Sequence, residues 1–244
     1  MKSNLFLLVS VGLFLPPLRG IRRYGCGKVT FFDTSAKGFI DGSLPTVEED
    51  NDFDCLAVLS DHEQDVKYVQ WHPHEDILAS ASYDDTIKVF EEVQSTDEWQ
   101  CTQTFSGHTS TVWCLAWDPT GAYLASASDD CTVKIWSRQT GKCLHTFGPF
   151  SRTLYAVSWT IWQGRGYIVA VGADDMIRIF AQEEDDWQLA CQLEAAHASD
   201  INSVAWRPQG GTPLCPPSSA TEEGLLFATT SDDGVVKVWQ YHPA

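Results

Sequence analysis

The chain has 244 residues, with 43% hydrophobic and 12% aromatic content including ten Trp. That is too much apolar side chain for a disordered protein and enough for a sizeable core. A net charge of −17 and a pI near 4.6 repel phosphate backbones and anionic lipid surfaces, so neither nucleic acid nor membrane is an expected partner.

Residues 1–46 carry six Lys/Arg against Asp33 and Asp41, a net +4 that leaves −21 for the rest and marks a boundary near Thr46. Lys2 and the apolar run from Leu5 to Leu15 resemble the start of a secretory signal. However, Pro16-Pro17-Leu18-Arg19-Gly20 is a poor small-x-small cleavage site, and the run is too short to span a bilayer. The segment shares no motif with the remainder of the chain and is expected to be poorly ordered, the product of an alternative or mispredicted first exon.

From residue 47 onward the chain repeats itself. His62 to Pro73 recurs as His108 to Pro119 and as His197 to Pro208, with Trp nine residues after the His and Pro two residues later. Phe150 to Trp159 keeps the spacing with Phe in place of His. A second block comes after each Trp: Leu78 to Phe90, Leu124 to Trp136, Ile168 to Phe180 and Phe227 to Trp239. Its aligned carboxylates, Asp84, Asp130, Asp174 and Asp233, are 46, 44 and 59 residues apart, a period that points to a propeller.

Each unit, over about 53–99, 99–143, 143–187 and 187–240, alternates apolar and polar residues in short β-branched runs, which reads as four strands. The outer strand of each falls at Phe53–Leu59, Trp99–Phe105, Cys143–Phe147 or Trp187–Leu193. In the last unit the Pro-, Gly- and Ser-rich stretch from Gln209 to Gly224 is expected to be a mobile surface loop. The acidic runs before Phe53, Trp99 and Trp187 read as solvated connections that also suit a basic partner.

Eight Cys, with no CxxC or CxH spacing, make no zinc or iron–sulfur ligand set and read as reduced core cysteines. Cys55, Cys101, Cys143 and Cys191 hold equivalent places on separate strands and do not converge on a metal. A His with an Asp is the material of a general base and its orienting acid. The pair recurs once per repeat, however, whereas a catalytic pair is normally unique, so an enzyme is not expected.

These blocks resemble the WD40 family, and the resemblance implies an all-β propeller with four blades here. In that family a buried network ties each blade: the His, the turn Asp, a second-strand Ser or Thr and the terminal Trp. Carried over, it comprises His108, Asp130, Ser126 or Ser128 and Trp136 in one unit. In the last it comprises His197, Asp233, Thr229 or Ser231 and Trp239. The first unit has His62, Asp84 and Ser80 or Ser82 but ends in Phe90. The third keeps only Asp174 and is expected to rest on packing alone and to open most easily.

More particular stretches, among them Asp54 to Leu59, Leu78 to Thr86, Ser110-Thr111-Val112-Trp113 and Asp200 to Trp206, resemble the WD40 subunit of the cytosolic iron–sulfur protein assembly targeting complex. That resemblance aligns the chain with the fourth to seventh of seven blades, the first three being absent. Val89-Phe90-Glu91 stands where members often carry Leu-Tyr-Arg.

It implies a non-catalytic scaffold with no cofactor of its own, helping to deliver clusters to extramitochondrial apoproteins. The implied partners are an MMS19-type adaptor, a MIP18-type small subunit and the iron–sulfur apoproteins themselves. The implied location is cytoplasmic, extending to the nucleus. Partner contacts are expected on the top face at Asp65, Thr111, Thr153 and Asp200, before each inner strand, and at Tyr83, Asp129 and Asp232, in the turns. The competing readings are a WD40 adaptor of another complex, such as a ubiquitin-ligase substrate receptor, and a secreted propeller hydrolase with disulfides.

Overall fold

The computed structural model describes residues 55–93, 95, 98–184, 186–208 and 224–243. The signal-like run, the acidic run at 48–52, and residues 209–223 of the last-unit insertion lie outside them. The chain divides into the units Met1–Leu56 and Ala57–Ala244, and the strands of the described residues belong to the second.

Among the described residues the elements of this unit are all strands: β1 (Val66–Trp71), β2 (Ile77–Ser82), β3 (Thr86–Val93), β4 (Glu98–Ser106), β5 (Val112–Trp117), β6 (Tyr123–Ser128), β7 (Val133–Ser137) and β8 (Cys143–Phe147). They continue as β9 (Leu154–Trp162), β10 (Arg165–Gly172), β11 (Ile177–Glu183), β12 (Asp186–Leu193), β13 (Ile201–Trp206), β14 (Leu225–Ser231) and β15 (Val236–Tyr241). They form four antiparallel meanders, β1–β4, β5–β8, β9–β12 and the three-stranded β13–β15, which is the architecture of propeller blades.

Sheets and sequence repeats are out of step by one strand. Each outer strand that opens a repeat pairs with the third strand of the sheet before it: Trp99 lies opposite Glu92 on β3, and Trp187 opposite Gln182 on β11. This offset corrects the strand expected at Phe53–Leu59. Residues 55–60 form no strand, because no sheet precedes β1–β4 among the described residues to receive one.

Sheets stack through apolar faces that alternate along each strand as the pleat requires. Ile87 and Val89 of the first sheet share one buried cluster with Val112, Leu115 and Trp117 of the second. A second cluster joins the second, third and fourth sheets through Ala125, Ile135, Val157, Ile168, Val204 and Phe227. Close packing against neighbouring sheets suits the Ala-Ser-Ala-Ser middles of β2 and β6, where Ala79, Ala81, Ala125 and Ala127 are wholly buried.

Hydrogen bonds reinforce the stacking. The Trp117 indole donates to the Gln70 carbonyl at 3.3 Å, and the Trp206 indole to the Ser158 carbonyl at 3.1 Å. Each ties an inner strand to the one before it.

Candidate functional site

In the second sheet the Trp136 indole donates to Ser126 Oγ (2.8 Å), the Ser126 hydroxyl donates to His108 Nε2 (2.7 Å), and His108 Nδ1 donates to Asp130 Oδ2 (2.7 Å). The fourth sheet repeats the chain as Trp239, Thr229, His197 and Asp233, at 2.8, 2.8 and 2.9 Å. In the first sheet Ser80 and His62 (2.6 Å) and His62 and Asp84 (2.7 Å) are joined, with Phe90 supplying no indole donor.

The second-strand alternatives separate by register. Ser80, Ser126 and Thr229 meet the His. Ser82, Ser128 and Ser231 instead donate to carbonyls of the loop before the inner strand and accept the turn amides of Asp84, Asp130 and Asp233.

The order Ser, His, Asp is that of an acyl-transfer triad. Ser126 and Thr229 are wholly buried and accept an indole N–H, so no substrate carbonyl reaches either oxygen. What the chain of donors does is hold the turn. Burial would push the Asp130 carboxyl up, but His108, Thr132 and the Thr109 amide more than offset it and hold the carboxyl well below the usual range. Asp84 is held low in the same way by Thr86, His62 and the Glu63 amide.

The third sheet departs from the expectation of packing alone. Ala170 stands at the position of Ser126, and Phe150 at that of His108. Asp174 is instead gripped by Arg178, whose two terminal nitrogens each reach one carboxylate oxygen, with both side chains almost completely buried. The guanidinium lies 4.4 Å from the Phe150 ring centroid, so the Phe that removes the His also stacks on its replacement. Burial opposes the charge on Asp174, and Arg178 prevails and lowers its pKa. The sequence carries one signal for this: Arg occupies the place of Lys88, Lys134 and Lys237 in the one unit without a His.

At the end of the sheets where these turns lie, the register slips once at the same place in all four. Lys67, Trp113, Tyr155 and Asn202 are each skipped between paired residues of the first two strands. Such a bulge re-aims a side chain out of the ladder. The expected contact positions flank three of these residues in pairs, since the Tyr83, Asp129 and Asp232 amides donate to the Asp65, Thr111 and Asp200 carbonyls at 2.9, 2.9 and 3.1 Å, while beside Tyr155 the Thr153 carbonyl accepts from the Ala173 amide at 2.9 Å.

The bulged residues connect three sheets and reach the fourth. Lys67 Nζ sits 3.2 Å from Asp65 and 4.5 Å from the Tyr83 ring centroid. Tyr83 meets Trp113 edge-on at 6.0 Å, Trp113 meets Tyr155 at 5.8 Å, and the Tyr155 hydroxyl donates to Asp200 at 3.4 Å. Thr153 donates to Asp129, and Asn202 to Asp232 (2.6 Å). The Trp113 indole N–H is buried and has no hydrogen-bond partner. Burial, then Asp200, pushes the Tyr155 hydroxyl pKa up.

Two expectations need correction. Thr111 is buried, because the second sheet is packed on both sides, and it presents no side chain to a partner. The cysteines are not a core set: Cys114 is buried, but Cys143 and Cys191 are exposed and Cys101 and Cys131 half-buried, since most lie on outer strands or in turns. At the Val89-Phe90-Glu91 tripeptide, the first two residues are buried, while Glu91 meets Arg138 at 3.4 Å.

The family model for the WD domain, G-beta repeat, matches residues 53–91, 99–137 and 189–240, passing over the unit that holds Arg178. The chain is similar to the probable cytosolic iron–sulfur protein assembly protein Ciao1 of Aedes aegypti, 41% identical over 80% of this chain and 46% of that protein. The mouse protein of the corresponding name is 41% identical over 41% of this chain and 27% of its own length. Protein CIA1 of Arabidopsis thaliana is 39% identical over 38% and 24%. The chain thus spans less than half the length of these relatives.

Proposed function

The chain belongs to the WD40 repeat family, and from that premise we propose that it is a non-catalytic scaffold of cytosolic iron–sulfur protein assembly. The observation that carries this reading is the 41% identity to the Aedes relative across 80% of the chain, a match that extends through the degenerate third unit. Generic repeats alone would support only a scaffold of unstated business.

On this reading the partners are an MMS19-type adaptor, a MIP18-type small subunit and iron–sulfur apoproteins, met in the cytoplasm and, with nuclear apoproteins, in the nucleus. The surface offered to them is the bulged strip. Asp65, Tyr83, Asp129, Thr153, Asp200 and Asp232 surround the aromatic edges of Trp113 and Tyr155. The strip combines carboxylates with aromatic area and the cations Lys67 and Arg152, so it suits a partner segment with a basic or hydrogen-bonding side chain.

Affinity capture of the tagged full chain from cells tests both parts. Recovery of the MIP18-type subunit and the adaptor is expected. Recovery of ubiquitin-ligase subunits in their place would overturn the assembly reading. The double variant Tyr83→Ala, Asp129→Ala should reduce capture about tenfold or more while leaving the circular dichroism unchanged. Undiminished capture would remove the strip from the binding surface.

A further inference from the structure

Every sheet places a bulged residue at the same spot, and the bulge itself does not require a charge. Trp113, Tyr155 and Asn202 fill it in the second, third and fourth sheets, whereas the first sheet puts Lys67 there. The Lys67 ammonium lies in a corner with three walls. The Tyr83 ring is one, with its centroid 4.5 Å from Nζ, and the Trp113 ring is a second, at 5.8 Å. The two rings stand at 68° to each other, 6.0 Å between centroids. Asp65 is the third wall, its Oδ2 3.2 Å from Nζ.

Aromatic rings attract any cation set over them, whichever side chain carries it. What ties this particular cation in place is weak. The Asp65 side chain is 80% exposed, and an ion pair so open to solvent adds little. Lys67 also lies outside the strand ladder, so its side chain can swing away without breaking a backbone pair.

We infer that this corner is a cation-binding subsite, filled by Lys67 in the free chain and taken over by an arginine side chain of a partner protein. A guanidinium is the better occupant. Being planar, it stacks on the Tyr83 face while donating two parallel hydrogen bonds to Asp65, where the ammonium makes one. Lys67 then acts as an internal competitor. A site whose open form is only partly populated loses apparent affinity by that fraction, so a Lys67 seated about nine-tenths of the time weakens an incoming arginine about tenfold. The inference rests on the strip being the partner surface only for the origin of the arginine. The corner itself belongs to four residues at the junction of the first two sheets.

N-acetyl-arginine amide, titrated into the full chain, is the probe. The NMR signal of the Trp113 indole, identified by its loss in Trp113→Phe, is the readout, because that N–H is buried without a hydrogen-bond partner and reports on its own ring. Lys67→Ala should bind the probe about tenfold more tightly than wild type. Lys67→Gln, which keeps the stem and removes the charge, should shift affinity in the same direction. Adding Tyr83→Ala to Lys67→Ala should weaken binding about fivefold, the loss of one ring from a cation. The neutral isostere N-acetyl-citrulline amide should leave the signal in place. Equal affinity of wild type and Lys67→Ala, or a response to the citrulline probe, would overturn the inference.

Affinity capture then reads the source of the arginine. Lys67→Ala should raise the yield of the partner that wild type recovers. A reduced yield would make Lys67 itself the contact and overturn its role as competitor, and an unchanged yield would overturn the assignment of the arginine to that partner. Failure of the strip is a separate result: probe binding as expected, with capture undiminished in Tyr83→Ala, Asp129→Ala, would leave the subsite standing and remove the partner surface.

Discussion

A single hydroxyl in this fold has different weight in different sheets, and the difference is set by who else uses it. Ser126 joins His108 and Trp136, so Ser126→Ala strands a buried imidazole nitrogen and a buried indole N–H, and about 2–4 kcal/mol of stability should be lost. Ser80 joins only His62, because Phe90 has no N–H, and Ser80→Ala should cost about 1–2 kcal/mol. Urea unfolding of both variants checks the order, and equal losses would deny the indole a part in the network. The carboxylates add a pH dependence. Asp130 is held below its ordinary range in the native state, so the unfolded chain takes up protons first as pH falls through about 4. Its contribution is complete above that pH and lost progressively below it. The deficit of Asp130→Asn relative to wild type should therefore be largest near neutrality and shrink in acid; a deficit equal at about pH 7 and about pH 3 would contradict the assignment.

At the scale of the sheet, the third unit shows how one blade device replaces another. Arg178 and Asp174 are both almost completely buried, and removing one partner leaves the other as an uncompensated charge. Arg178→Met should destabilise by about 3–5 kcal/mol, measured by urea or thermal unfolding, and a loss below about 1 kcal/mol would show that packing alone carries this sheet. This pair is not legible as a unit in the sequence. Spacing exposes a repeated His, but a compensating Arg only becomes visible once strand register brings β11 under Phe150. The strands themselves are legible, because alternation along Thr86 to Phe90 or Val133 to Trp136 is a property of the pleat. The slip that ejects Lys67, Trp113, Tyr155 and Asn202 is not, since a bulge changes which face a residue occupies without changing its type. Thr111 shows the same limit from the other side: its place before the inner strand is plain from the repeat, but its burial depends on neighbouring sheets that no local pattern records.

For the molecule as a whole, stability is distributed by how many neighbours a sheet has. Solenoid-like stacks gain most of their stability at interfaces between units, and among the described residues the second and third sheets have two such interfaces each while the first and fourth have one. β6 and β10 are buried along nearly their whole length, whereas β15 alternates between exposed and half-buried residues. Native-state hydrogen exchange of the dilute chain should therefore find the amides of β6 and β10 most protected and those of β1 and β15 least, since local opening scales with missing contacts.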